Sequence, residues 1–232
     1  MGAVEALHRF FIAIVKLRGS DVSPLLIALV LFFAVLIVLK IRKRKIRLRR
    51  MQFIDDFVFP QRIYQRIEST YPHLNENDID LVITGLREYF HIVLIAKNKT
   101  VAMPSQVVDI AWHELILFTR DYQQFCNQAF GRFLHHTPAE AMTTPTQAQE
   151  GIKRAWYIAC SREGIKPRKP DKLPFIFWLD SMLKINDGFT YQLDCLASKE
   201  GGYCASHIGC GGGCSGSSSD SDGCSGGGCG GD

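Results

Sequence analysis

Pro24-Leu-Leu-Ile-Ala-Leu-Val-Leu-Phe-Phe-Ala-Val-Leu-Ile-Val-Leu39 is an unbroken apolar run, and Lys40-Ile-Arg-Lys-Arg-Lys-Ile-Arg-Leu-Arg-Arg50 follows it directly. From Val22 to Ile41 only Ser23 and Lys40 are polar. About 20 helical residues rise about 30 Å, the thickness of a hydrocarbon core, so residues 22–41 read as a transmembrane helix. Pro24 falls in the first turn, where its missing N–H costs little. A cleavable signal peptide fits poorly, because a dense basic cluster follows the run in place of a small-residue cleavage site.

The cluster decides orientation and charge. It holds eight of the 27 basic residues and none of the 23 acidic ones, which leaves 19 basic against 23 acidic elsewhere. The net charge of +4 is therefore local. A general nucleic-acid binder would spread its cations over a folded face, so no nucleic-acid partner is expected. By the positive-inside rule, residues 42–50 form a basic flank on the cytoplasmic side, with the N-terminus outside. The expected partner of Lys40–Arg50 is the anionic headgroup layer. Residues 1–21 carry a shorter apolar stretch around Phe10 and Phe11, read as an amphipathic segment lying on the outer surface.

Residues 51–195 have room for one packed domain, and their periodicity is helical throughout. Ile79, Val82, Ile83, Leu86, Phe90, Val93 and Leu94 mark one face, with Asn75 and Asn77 as candidate N-caps. Val108, Ala111, Trp112, Leu115, Phe118, Tyr122, Phe125 and Ala129 mark a second helix, capped by Ser105 and closed by Gly131. Shorter helices are expected at 54–68, 146–162 and 174–185. No βαβ alternation or phosphate loop is present. The fold class is thus mainly α: an N-terminal transmembrane helix, then an all-helical cytoplasmic domain of five helices. Cys126 and Cys160 read as buried, inert thiols, and Trp156, Tyr157, Phe175, Phe177 and Trp178 as core aromatics.

Asp109 and His113, four residues apart, share a helix face. His135 and His136 follow the helix end, where the chain can fold back alongside it. Such a set can hold a divalent metal such as zinc, or Asp109 can orient His113 as a general base. The same pair also serves as an ordinary hydrogen bond, and histidines at a helix end favour the macrodipole without any ligand. A zinc-protease motif fails, because position 117 is leucine.

The string Pro104, Asp109, Trp112, His113, Leu117, Tyr122, Cys126, Gly131, His136 resembles the core motif of the glycine-rich-domain-containing protein family. Asp109, Trp112, His113, Tyr122, Cys126, Gly131 and His136 fall on matching positions, with Trp112, Tyr122, Cys126 and Gly131 in structural roles. The family's second histidine would fall at 115, where this chain has leucine. The resemblance implies a bacterial, membrane-anchored relative, hence an inner membrane, and no established reaction.

Residues 196–232 form the tail. From Gly201 onward 25 of 32 residues are Gly, Ser or Cys, a composition expected to stay disordered. Cys204, Cys210, Cys214, Cys224 and Cys229 are candidate thiol ligands, although their gaps are longer than those of a tight zinc knuckle. The leading expectation is a single-pass membrane protein with a cytoplasmic binding or scaffolding domain, metal-linked or not, and a protein partner. A metal-dependent hydrolase using Asp109, His113 and His136 is the alternative, and a metal-collecting tail a third.

Overall fold

The structure is a computed structural model that describes residues 24–136, 145–193 and 203–204. The expected amphipathic segment at 1–21 and the tail cysteine side chains lie outside the described residues. Mainly helical architecture is what the chain adopts, with seven helices among the described residues. In chain order they are α1 (Pro24–Asp56), α2 (Gln61–Thr70), α3 (Glu76–Ala96), α4 (Gln106–Leu117), α5 (Thr119–Ala129), α6 (Pro145–Glu163) and α7 (Phe175–Met182). Two short strands follow, β1 (Tyr191–Gln192) and β2 (Tyr203–Cys204).

The residues form two compact units. The first comprises residues 24–58 and 119–134. Its α1 is 33 residues long, so the apolar run and the basic cluster belong to one continuous helix of about 50 Å. That helix is long and apolar enough to cross a membrane, and none of its apolar window is buried within the protein. A core helix would hide such a face; this one leaves Leu25, Phe32, Phe33 and Ile37 exposed. The far end of α1 packs on α5 through aromatic rings: Phe125 lies 5.8 Å from Phe53 and 4.7 Å from Phe57, centroid to centroid. Beyond α5, Gly131 adopts φ +71°, and a Cβ there would collide with the Arg50 guanidinium. The left-handed backbone is what favours glycine here, since the Arg50 guanidinium is the mobile end of a long side chain and can shift. The Tyr122 hydroxyl donates to the Leu134 carbonyl at 2.6 Å, and Cys126 is fully buried. Burial pushes the Cys126 thiol up and keeps it protonated.

The second unit comprises residues 59–118, 135–136, 145–193 and 203–204. In it α3 is the central helix, packing against α4, α6 and α7, and α4 also packs on α2. All seven apolar positions expected on the α3 face are buried. Asn75 caps α3, accepting from the Asp78 N–H while Asp78 accepts from the Asn75 N–H, both at 3.1 Å. That reciprocal box contributes about 1 kcal/mol. Cys160 is buried on α6, its thiol pushed up to about 12 by loss of solvent.

Four differences from the sequence reading have physical causes. The helix expected at 54–68 is split, because Pro60 lacks an N–H and disfavours helical geometry at Phe59; α1 stops at Asp56 and α2 starts at Gln61. The helix expected from 105 to 131 breaks at Phe118, whose N–H closes on the Leu115 carbonyl at 3.1 Å. Asp121 then sits in the first turn of α5, where a negative charge favours a new helix start. Among the described residues six helices therefore follow α1, not five. Trp178 is 48% exposed and is no core residue, unlike Trp156 and Phe177. Within the tail expected to be disordered, Tyr203–Cys204 pairs in parallel with Tyr191–Gln192, so backbone hydrogen bonding overrides composition at that point.

Candidate metal centre

The first turn of α4 is held from two sides. Ser105, in extended conformation, accepts from the Val108 N–H at 3.4 Å, the cap expected from sequence. The Ser105 hydroxyl in turn donates to Asp180 of α7 at 2.6 Å. Asp180 also accepts from the N–H groups of Gln106 at 2.7 Å, Val107 at 3.4 Å and Phe189 at 2.9 Å. A buried carboxylate thus sits on the N–H groups that open α4, where the helix field favours it. Gly188 makes room for this arrangement: a Cβ there would lie 2.7 Å from the Asp180 Cβ. Burial nevertheless outweighs these bonds and pushes the Asp180 carboxyl up. Nothing local in the sequence marked Asp180: its partners Ser105, Gln106 and Val107 lie more than 70 residues away, and Phe189 lies nine residues on.

One turn into α4, Asp109 faces two imidazoles. Its Oδ2 lies 3.2 Å from His113 Nδ1, across one helical turn. Its Oδ1 lies 3.1 Å from His136 Nε2. The two imidazole centroids are 4.1 Å apart. One ligand atom from each of the three residues falls within 4.8 Å of the others. The sequence could not choose between His135 and His136; the structure turns His136 to the pair, whereas His135 is exposed and outside this group.

Trp112 supports the inner side. It is 3% exposed, and its ring meets His136 edge-on at 4.6 Å and Tyr89 at 5.1 Å. Tyr89 donates to the Val101 carbonyl at 3.2 Å. Burial, and secondarily the Asp109 charge, push its phenol up, so it stays neutral beside the site. The opposite side is open: the His113 side chain is half-exposed at 50%, against 14% for His136. Glu114, next in sequence, is excluded from the group because it is buried and accepts from Arg62 Nε at 2.7 Å.

The residues present fit a small divalent cation. Imidazole nitrogen and carboxylate oxygen bind zinc at about 2.0–2.2 Å, which places neighbouring donors of a tetrahedral ion roughly 3.3 Å apart. Either nitrogen–oxygen separation, 3.1 or 3.2 Å, lies close to that edge, while the two run to different oxygens of Asp109 and are hydrogen-bond distances as they stand. Two imidazoles and one carboxylate could supply three ligands to such an ion, with the exposed His113 side left toward solvent.

A family model described as UCP032817-like matches residues 49–211, well over half of the chain. The chain belongs to this family. The UCP032817-like segment starts inside the basic cluster and contains Asp109, His113 and His136, while the apolar run of α1 lies before it. This corrects the resemblance to the glycine-rich-domain-containing proteins, which rested on a few dozen residues. The fold agrees with the correction: Leu115, where that motif would need a second histidine, is fully buried in the core and off the open face of His113. No curated protein and no solved structure matches the chain.

Proposed function

We propose that this chain is a single-pass membrane protein whose helical part binds a divalent transition metal, zinc being the best match, through Asp109, His113 and His136. The observation that carries the reading is the convergence of both imidazoles on the two oxygens of one carboxylate. His136 is 23 residues beyond His113, so only tertiary folding brings the third ligand in. Membrane attachment is supported by the apolar, unburied length of α1 and by the cations that follow it. Those cations favour a cytoplasmic helical part. Bound metal would act as a binding or scaffolding element for a protein partner.

A second reading is favoured by one observation, the exposure of His113. An ion held from the inner side by three ligands would carry water on its outer side, and zinc lowers the pKa of such water toward 7, which would suit hydrolysis. The two readings share the same ligands and differ in whether that water attacks a substrate.

The test uses the full chain in detergent, stripped of metal and titrated with zinc against a chromophoric chelator. His136→Ala is expected to weaken binding by more than about tenfold, and His135→Ala by less than about twofold. Equal effects of the two substitutions would sink the assignment. Affinity should also fall on acidification, because both imidazoles must give up protons to bind.

A further inference from the structure

The cations of α1 are placed in a way that the positive-inside rule alone does not require. Lys40, Arg42, Lys43, Arg44, Lys45, Arg47 and Arg49 are all exposed, and none makes an ion pair among the described residues. Arg50 is the exception, since its guanidinium occupies the space over Gly131. At about 100° per residue these seven fall on every side of the helix, so they form a collar and not a stripe. The collar is about 14 Å tall and begins where the apolar run ends. Its first turn stands at headgroup depth, and the remainder lies within about two Debye lengths of the surface at physiological salt.

From this placement we infer that the collar gathers an annulus of anionic phospholipids around α1, in the leaflet facing the helical part. The inference rests on the reading of α1 as a membrane span. Seven uncompensated charges around one helix exclude a single lipid pocket, because no one headgroup reaches them all. Lysine and arginine stems run along the helix while their heads meet the phosphates, which suits both residue types present. Nucleic acid is the competing polyanion, but it would have to approach a collar already seated against the bilayer.

The test reconstitutes the full-length chain into vesicles of four parts phosphatidylcholine to one part phosphatidylglycerol. Lipids retained after gentle extraction are then counted by native mass spectrometry. The expected result is acidic lipid enriched about fivefold over its bulk share, falling to the bulk ratio in 1 M salt. Replacing the seven exposed cations by glutamine should abolish the enrichment, with Arg50 kept to preserve its packing on Gly131. Replacing the three lysines by arginine should leave it intact, which separates charge from folding. Wild-type chain that inserts, resists alkaline extraction and shows no enrichment overturns the inference. Binding of a short single-stranded RNA to inserted chain in place of acidic lipid overturns it as well. Failure of the wild-type chain to insert would instead refute the membrane span itself.

Discussion

Asp109→Ala is expected to lower zinc affinity by at least about a hundredfold, more than either histidine substitution. Asp109 is the only anionic ligand of the three, and it bridges both imidazoles through separate oxygens. Its loss removes a ligand and the group that orients the other two at once. Asp109→Asn keeps the shape and one acceptor oxygen but loses the charge, so it should retain only weak binding. The folded state should tolerate both, because Asp109 is partly exposed and caps no helix. Competition titration against a chelator, with circular dichroism as the folding control, measures the effect. Unchanged affinity in Asp109→Ala would remove the carboxylate from the site.

The largest effect on stability is expected at Asp180. Asp180→Ala strips acceptors from the Ser105 hydroxyl and from three backbone N–H groups, two of which open α4. Donors left buried without partners cost about 1–3 kcal/mol each in isolation, partly relieved by relaxation, so a loss of about 3 kcal/mol is expected. Asp180→Asn keeps one acceptor and should lose about half as much. Chemical denaturation of the full chain in detergent gives the values. The pH dependence has a definite sign. Burial raises the Asp180 carboxyl above its ordinary 3.8, so the folded state holds that proton longer than the unfolded chain does. The contribution of this group is therefore greatest below that value and declines as pH rises through the folded pKa. Asp180→Asn should flatten that part of the profile.

The elements legible in the sequence were those written locally. The apolar run of α1, the Asn75 cap, the Ser105 cap and the Gly131 stop each depend on residues within one helical turn, and all four stand in the structure. The shared face of Asp109 and His113 is likewise fixed by spacing alone. What escaped depends on distant partners or on competing signals. Apolar periodicity runs unbroken across Phe118, yet the helix closes there on the Leu115 carbonyl, and α4 and α5 belong to different compact units. Nothing near residue 180 marks its aspartate as the anchor of a helix that starts at Gln106. The choice of His136 over His135 is set by packing against Trp112, which no spacing rule encodes. Tyr203–Cys204 gains strand pairing from Tyr191–Gln192, although the glycines around it predict none.

Two side chains from α4 and one from the segment after α5 are proposed to form one metal site. Elemental analysis of the full-length protein, purified without chelator and compared with its His113→Ala variant, tests it most directly. About one zinc per wild-type chain is expected, and a small fraction of that in the variant. Zinc absent from both proteins after incubation with the metal, or equally abundant in both, would contradict it.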